Sequence, residues 1–404
     1  MPVDLPTIEA ARERLRGAVA ETPCAFSATL SELTGTRCFI KLENLHVTGS
    51  FKERGAANFL LQLPGEARSR GVATASAGNH GLALAFHAAR LGVPATIVMP
   101  EWAPLIKIAS ARRHGAEVIL CGADFDEAYA HAVALAAGRG LAFVHPFDDE
   151  RVIAGQGTLG LELLEQRPDM DAVLVPIGGG GLIGGVGIAV KGTRPSVRII
   201  GVQTAAVPAM ARAVESGRST VPAAPTIADG IAVREVGALT LPLARALVDH
   251  IVTVREEELA NAILRLLETE KTVAEGAGAA PLAALLNRPL DLAGATVVLV
   301  LSGGNIDVTM LARIIERGLV QAGRLVRLVV VLRDRPGALA RVTALVAEER
   351  GNVVHIAHDR AFSRWVAIGE TEVELTLETS GRAHAEAMIA RLRVAGYRVE
   401  ERTG

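Results

Sequence analysis

Short apolar runs alternate with amphipathic segments along most of this chain. The apolar runs predict strands at 37–42, 72–76, 95–99, 117–120, 141–144, 172–177, 198–202, 250–254 and 296–301. The segments between them carry apolar residues three or four positions apart and predict helices at 81–90, 105–113, 125–137, 257–268 and 277–286. Residues 1–16 predict a further helix, with Asp4 or Thr7 as its N-cap. This alternation is typical of an α/β fold with parallel sheets.

The pattern changes near residues 320–323. Beyond them the sequence predicts strands at 325–333, 352–358, 371–379 and 397–401, and helices at 337–349 and 382–394. Their order, βαββαβ, is that of a small α+β domain of the ferredoxin-like kind. We therefore predict two domains, 1–320 and 325–404, joined by a short linker.

The composition of the chain argues against nucleic acid and membranes as partners. The formal net charge of −2 gives no basis for binding nucleic acid or an anionic membrane surface. The uncharged stretch 172–190 is long enough to span a membrane, but Pro176 and seven glycines interrupt it. We therefore predict a strand, a glycine loop and a helix start there, and no membrane span. Cys24, Cys38 and Cys121 match no metal or disulfide spacing, which favours a cytoplasmic location.

Lysine is scarce, which narrows the search for a nucleophilic amine. The lysines are Lys41, Lys52, Lys107, Lys191 and Lys271. Lys52 follows a turn that contains Gly49 and stands where a helix is expected to begin. The positive end of a helix lowers the pKa of a nearby amine and favours its neutral form. The surroundings of Lys52, rather than the lysine alone, therefore indicate chemistry.

A resemblance to a known family enters at this lysine. The segment 49–56 reads GSFKERGA, and it resembles the cofactor-lysine segment of the threonine/serine ammonia-lyases, which are pyridoxal-phosphate (PLP) enzymes of fold type II. The resemblance extends over roughly 5–320. It implies a two-domain catalytic fold like that of tryptophan synthase β, with a small subdomain of about 46–145 inserted in the large one. It also implies that Lys52 is catalytic and carries PLP, and that Phe51 lies against the cofactor ring.

The loop 75–81 reads ASAGNHG and joins a predicted strand to a predicted helix. Backbone N–H groups at a helix start suit a carboxylate. The loop is similar to the substrate-carboxylate loop of the same family, which implies that Ser76, Asn79 and His80 bind the substrate and that Asn79 also reaches the cofactor. The related serine racemases carry a second serine where this chain has Ala77. Alanine cannot transfer a proton, so we expect a lyase with weak racemase activity at most.

The loop 178–185 reads GGGGLIGG and contains the G-x-G-x-x-G spacing of dinucleotide-binding proteins. Such a protein needs an acidic residue after the next strand, but Gln203 and Thr204 stand there. Four successive glycines suit a nest of N–H groups around one phosphate. The resemblance assigns that phosphate to PLP, and the cradle to Gly178, Gly179, Gly180, Gly181 and Leu182.

Two further segments complete the expected cofactor site. The loop 302–305 reads SGGN, and the resemblance implies that Ser302 meets the pyridine nitrogen of PLP. The segment 274–279, AEGAGA, is similar to a family segment that lines the cofactor, which makes Glu275 a site residue. Several relatives bind a divalent cation through carboxylates after the strand that ends here at Val202. Gln203 replaces the expected glutamate, so we predict no metal site of that kind.

The segment 334–339, DRPGAL, is similar to the first turn of ACT domains. These domains pair across a dimer and often bind amino acids. The resemblance implies an effector site at Asp334, Gly337, Leu339 and Asn352, with Asn352 facing the turn. Purely structural pairing is the alternative.

Together these features predict an ammonia-lyase that converts L-threonine, and also L-serine, to a 2-oxoacid and ammonia. We expect a homodimer or homotetramer under feedback by a branched-chain amino acid. Three alternatives stay open: another PLP-dependent β-hydroxy-amino-acid dehydratase or β-replacement synthase, a serine racemase-like enzyme, and a catalytically inactive ACT amino-acid sensor.

Overall fold

The computed structural model describes residues 3–103, 105–359 and 367–402. The chain forms two compact units, Met1–Ile306 and Asp307–Gly404. The division falls earlier than the predicted boundary at residue 320, because helix Val308–Gln321 groups with the C-terminal unit.

A six-stranded sheet forms the centre of the N-terminal unit. Its strands, numbered along the whole chain, are β1 (Cys24–Phe26), β2 (Arg37–Leu42), β7 (Ala172–Pro176), β8 (Arg198–Thr204), β9 (His250–Val254) and β10 (Thr296–Leu301). They lie in the order β1-β2-β10-β7-β8-β9, and all neighbours are parallel except β1 and β2. Strands β7 and β10 are buried along their whole length, which is typical of central parallel strands covered on both faces.

A second, four-stranded parallel sheet lies within the stretch predicted as an inserted subdomain, 46–145. Its strands are β3 (Val72–Ala75), β4 (Ala95–Met99), β5 (Glu117–Leu120) and β6 (Ala142–Phe143), in the order β5-β4-β3-β6. The chain therefore leaves the large sheet after β2, builds the small sheet and then returns to the large sheet at β7.

Each predicted internal helix of the N-terminal unit forms, with both ends within two residues of the prediction. The helix predicted at the start also forms, and the Asp4 carboxylate caps it by accepting from the Thr7 N–H at 3.0 Å. The helices of this unit are α1 (Leu5–Leu15), α2 (Ala28–Thr34), α3 (Lys52–Leu61), α4 (Gly65–Arg70), α5 (Asn79–Leu91), α6 (Leu105–Arg113), α7 (Phe125–Arg139), α8 (Glu150–Gln166), α9 (Gly181–Thr193), α10 (Ala209–Ser216), α11 (Thr240–Leu247), α12 (Glu256–Glu270) and α13 (Gly276–Asn287).

In the parts of the chain that the structure describes, no helix is long and apolar enough to cross a membrane. The uncharged stretch 172–190 is divided between strand β7 and helix α9, with the glycine loop between them. Most of its large apolar residues belong to a buried core that packs β7 and β10 against α8 and α9.

The C-terminal unit confirms the predicted βαββαβ order. After α14 (Val308–Gln321) come β11 (Leu325–Arg333), α15 (Ala338–Glu348), β12 (Asn352–Asp359), β13 (Glu370–Glu378), α16 (Arg382–Val394) and β14 (Arg398–Glu401). The strands form one antiparallel sheet in the order β12-β13-β11-β14. Apolar residues of helices α15 and α16 pack against this sheet.

Within a single chain Asn352 does not face the turn at Asp334, and its place in an effector site stays a prediction. Asn352 and Leu325 both pair with Glu378, so Asn352 lies at the end of the sheet where β11 begins. The turn with Asp334 follows the other end of β11, on the order of 25 Å away at the rise of a strand. Asn352 donates instead to the Glu378 carboxylate at 2.8 Å. Helix α15 runs back along the sheet between the two positions, so the turn and Asn352 lie at opposite ends of β11.

Candidate active site

Lys52 is the first residue of α3, and its amine points to the segment that follows β6. Its Nζ donates to the carbonyl oxygen of Pro146 at 2.7 Å and lies 5.2 Å from the centre of the Phe51 ring. Burial lowers the pKa of Lys52 to about 8, although the nearby Glu275 carboxylate opposes the shift. The neutral form that a nucleophile or base requires is therefore far more populated near physiological pH than in an ordinary lysine.

A buried ionic cluster holds α3 in place beneath this lysine. Arg54 donates through Nε and Nη2 to Glu43 at 2.6 and 2.8 Å, and through Nη2 to Glu162 at 2.9 Å. Lys41 also pairs with Glu162 and donates to the Thr22 carbonyl at 2.7 Å. Burial opposes the ionisation of Glu43, but Arg54 holds its pKa well below the ordinary value. The positive charges of Arg54 and Lys41 thus balance the carboxylates of Glu43 and Glu162, and Arg54 lies two residues after Lys52 in α3.

The predicted substrate loop lies between β3 and α5. Ser76 follows β3 and is buried, and its Oγ accepts from the Gly78 N–H at 3.2 Å. Asn79 begins α5, where the first N–H groups of a helix have no partner within the helix. The loop therefore brings a hydroxyl, a carboxamide and backbone donors to one place.

The His80 side chain lies under this loop rather than along it. Its Nε2 faces the Val144 carbonyl at 3.2 Å, and its buried Nδ1 has no hydrogen-bond partner among the described residues. A carbonyl only accepts, so Nε2 carries the proton and Nδ1 cannot donate to a carboxylate. Burial, with Lys52 nearby, lowers the pKa of His80 to about 3, which keeps the ring neutral. In this arrangement the backbone N–H of His80 is the group suited to an anion.

Glu275 caps the start of α13 and is buried beside Asn79. Its Oε1 accepts from Asn79 Nδ2 at 2.8 Å, and its backbone N–H donates to Gly303 at 3.1 Å. Burial raises the pKa of Glu275 to about 7; Asp229 adds to the shift, and the Asn79 hydrogen bond opposes it. This carboxyl changes protonation state near neutral pH.

Ser302 follows β10 directly and is buried. Its carbonyl accepts from the Phe51 N–H at 3.0 Å, and the next residue, Gly303, bridges Ser50. Backbone hydrogen bonds thus join the third predicted loop to the turn that carries Lys52.

The glycine loop follows β7, and α9 begins at Gly181. Gly180 has φ +96°, in the left-handed region, and a Cβ there would lie 2.6 Å from Met210. A Cβ on Gly179 would lie 2.3 Å from the Phe147 ring, and one on Gly181 2.8 Å from the Phe147 carbonyl. Side chains are therefore excluded from this loop. Leu182 is buried in the core, so only its backbone can face a ligand.

The segment 145–148 is the part of the site that sequence reasoning missed. Pro146 accepts from Lys52, and the Phe147 ring contacts the glycine loop. The Asp148 carboxylate accepts from the N–H groups of residues 238, 239 and 240 at the start of α11, at 2.9–3.2 Å. The signal was present, because this segment leaves the carboxyl end of predicted strand 141–144, as the other loops leave theirs.

Gln203 stands where the family resemblance places a metal-binding glutamate. Its Nε2 donates to the Ile177 carbonyl at 3.3 Å, and its Oε1 accepts from the Ala211 N–H at 2.8 Å. The amide therefore ties the end of β8 to the strand before the glycine loop and to α10. The expectation of no carboxylate-built metal site stays a prediction.

Comparison with known proteins decides the family. Residues 15–303 match the family model described as pyridoxal-phosphate dependent enzyme. The chain belongs to this family. Residues 326–394 match the ACT domain, within the C-terminal unit.

Individual relatives agree with this assignment. An L-threonine ammonia-lyase from Geobacter sulfurreducens is 52% identical over 395 residues, which cover 97% of this chain and 98% of the relative. The structure of maize serine racemase has a TM-score of 0.74 and 34% identity, and covers 79% of this chain and 98% of that chain. The processed form of threonine deaminase isoform 2 from Solanum lycopersicum has a TM-score of 0.73 and 36% identity, and covers 77% of this chain and 91% of that chain.

The residues of the site fit PLP. The glycine loop presents backbone alone at the start of α9, which suits the phosphate. Lys52 supplies a buried amine with a lowered pKa for the aldehyde, and Pro146 and Phe147 connect that amine to the loop. Lys52 would hold the cofactor covalently, and residues 178–182 would hold its phosphate.

Because the pKa of Lys52 is lowered, the rate at which the cofactor-free protein captures PLP should depend on pH in a characteristic way. Only the neutral amine reacts with an aldehyde, so capture of PLP by the cofactor-free protein should rise with pH and level off above about 8. Below that pH the rate should fall about tenfold per pH unit, whereas an ordinary lysine would level off only near pH 10. Stopped-flow absorbance of PLP binding would measure this. A rate that still rises steeply between pH 9 and 10, in the range of an ordinary lysine, would contradict the assignment.

Proposed function

We propose that this protein is an L-threonine ammonia-lyase, which converts L-threonine to 2-oxobutanoate and ammonia and also accepts L-serine. The observation that carries the proposal is the buried Lys52 amine, held beside a side-chain-free glycine loop and across from Asn79 and Glu275. Support also comes from the L-threonine ammonia-lyase that matches nearly the whole chain at 52% identity.

Each part of the site has a role in this reaction. The Ser76 hydroxyl, the Asn79 carboxamide and the N–H groups at the start of α5 bind the substrate carboxylate. When bound, PLP accepts the electron pair that is left when the α C–H bond breaks. Lys52 Nζ removes the α-proton, for which its lowered pKa is suited. Loss of the β-hydroxyl, followed by hydrolysis of the resulting imine, yields the 2-oxoacid and ammonia without net redox change.

The test is release of 2-oxobutanoate from L-threonine by the PLP-loaded protein. We expect saturable release of oxoacid and ammonia in equal amounts, and slower pyruvate release from L-serine. A protein that binds PLP but releases oxoacid only from other β-hydroxy amino acids would overturn the choice of threonine and leave the family intact.

Serine racemization is the second candidate, because the structure of maize serine racemase covers most of this chain. Ala77 argues against it, since no hydroxyl stands at the position where the racemases carry a serine. We expect L-serine to give pyruvate much faster than D-serine, and Ala77→Ser to raise the share of D-serine. Chiral chromatography of the products would measure both. D-serine outpacing pyruvate in the unchanged protein would contradict this expectation.

Regulation through the C-terminal unit is a separate part of the proposal. Gly337 precedes α15 with φ +81°, so the turn after β11 exposes backbone to a ligand. Leu339 packs toward the core, and Asp334 donates its N–H to Gly369 at 2.9 Å. We propose that a branched-chain amino acid binds at this turn in a cytoplasmic homodimer or homotetramer. Equal threonine kinetics with and without isoleucine or valine would refute the effector, and light scattering would give the assembly.

A further inference from the structure

The side chain of Asn305 connects two loops of the site that come from different sheets. Its Nδ2 donates to the Thr48 carbonyl at 2.7 Å and to Asn79 Oδ1 at 2.8 Å. Thr48 belongs to the turn before Lys52, which follows β2 of the large sheet. Asn79 belongs to the loop that follows β3 of the small sheet. Both hydrogens of one carboxamide nitrogen are thus used to join the lysine turn to the substrate loop.

Two glycines, Gly49 and Gly304, leave room for the Asn305 carboxamide and fix the backbone beside it. Gly49 has φ +74°, and a Cβ on it would lie 2.6 Å from Asn305 Oδ1. The Gly304 N–H donates to the Gly49 carbonyl at 2.9 Å, which fixes the backbone beside Asn305. The absence of a side chain at Gly49 therefore lets the amide of Asn305 lie flat against the lysine turn.

The Thr48 carbonyl sets the donor-to-acceptor direction of all the hydrogen bonds that run through Asn305 and Asn79 to Glu275. The Thr48 carbonyl can only accept, so the nitrogen of Asn305 must face it. The same nitrogen then requires an oxygen from Asn79, so Asn79 Oδ1 faces Asn305. The Nδ2 of Asn79 is left to point at the Glu275 carboxylate, where it donates at 2.8 Å. A backbone carbonyl in the lysine turn thereby decides which way the Asn79 carboxamide faces.

We propose that Asn305 is a positioning residue that fixes the orientation of the Asn79 carboxamide and holds the substrate loop to the turn of Lys52. The proposal rests on the proposed function only in taking Asn79 as a residue that binds substrate and cofactor. Asn305 acts through Asn79 and does not itself take part in the chemistry.

Two substitutions separate this role from simple packing. Asn305→Asp keeps the shape of the side chain but presents only acceptors, so it repels Thr48 and turns the Asn79 amide around. Asn305→Ala removes the donor and leaves the Asn79 amide free to keep its orientation. An orienting role therefore makes Asp the more harmful change. A packing role makes Ala the more harmful change, because Ala leaves a cavity.

Asn44 offers a matched control. It is half-buried like Asn305, and its Nδ2 also donates two hydrogen bonds, to Thr272 Oγ1 at 2.8 Å and to the Val273 carbonyl at 3.0 Å. Asn44→Asp therefore also loses a donor to a backbone carbonyl, as Asn305→Asp does, without touching Asn79.

The experiment measures PLP affinity by absorbance titration of the cofactor-free proteins, the KM and kcat for L-threonine, and the melting temperature. We expect Asn305→Asp to weaken PLP binding or raise KM by about tenfold or more, Asn305→Ala by less, and Asn44→Asp by less than about twofold. The proposal is overturned if Asn305→Asp matches Asn44→Asp, or if both Asn305 variants change only the melting temperature. If the unchanged protein binds PLP but does not act on threonine, the proposed function fails while the order of PLP affinities still decides the role of Asn305.

Discussion

Replacing Lys52 with alanine should abolish 2-oxobutanoate release, with a fall in kcat of roughly a thousandfold or more. The amine has two roles in the proposed reaction, to hold PLP and to move the α-proton, and no other lysine among the described residues contacts Pro146 or the glycine loop. Lys52→Arg should be equally inactive, because a guanidinium stays protonated and cannot form the covalent link.

A covalent readout separates loss of attachment from loss of folding. Borohydride reduction should fix PLP to the unchanged protein and to Lys191→Ala, and intact-mass spectrometry should find no such adduct on either Lys52 variant. Lys191 is a suitable control because it lies at the far end of α9, where it pairs with Asp249 at 2.9 Å. Retained oxoacid release in Lys52→Ala would disprove the assignment of the catalytic lysine.

Replacing Arg54 with methionine should lower the free energy of unfolding by about 3–5 kcal/mol, the cost of removing one partner from a buried ion pair. Arg54 is 1% exposed and holds both Glu43 and Glu162, which are 0% and 5% exposed. Without it Glu162 keeps its pair with Lys41, and Glu43 keeps the Thr22 hydroxyl and the His46 ring, which lies 3.0 Å away. Urea unfolding followed by circular dichroism would measure the loss.

The matched control is Arg16→Met. Arg16 pairs with Glu13 at 2.7 Å, but both side chains are mostly exposed, so its loss should cost less than about 1 kcal/mol. Arg54→Lys should fall between the two, since it keeps the charge but not the forked geometry. Equal stability of Arg54→Met and the unchanged protein would show that the cluster contributes nothing to the support of α3.

The fold was predictable where apolar periodicity is regular. The parallel strands and the amphipathic helices α5 and α12 carry that signal, and the βαββαβ order of the C-terminal unit followed from it as well. Helix α8 was not among the predicted helices; every residue from 152 to 163 is buried in the fold, including polar residues such as Gln156 and Glu162. Strand β1 is only three residues long, too short for a pattern to be distinguished from a loop.

The site was predictable from glycine and lysine, since their chemistry allows few roles. Lys52 and the glycine loop both contact the segment 146–147, and their roles toward PLP stay predictions. The partners of Asn79 and the contact of Lys52 with Pro146 were not predictable, because hydrogen bonds between residues far apart in the chain leave no local pattern. His80 shows a different limit of sequence reasoning. The motif identified the residue, but it did not reveal that the ring points to the Val144 carbonyl.

The order of the strands in the large sheet has a consequence for biosynthesis. Strand β2, which leads to Lys52, pairs with β10, which is made only after the inserted sheet and strands β7 to β9 have left the ribosome. A nascent chain that lacks β10 holds β2 against β1 alone, with its other edge open to pairing with another chain. Such long-range parallel pairing is slow. Translation must therefore have passed β10, about three-quarters of the way along the chain, before the protein can capture its cofactor, and chains that stall earlier carry the lysine but have no complete site around it.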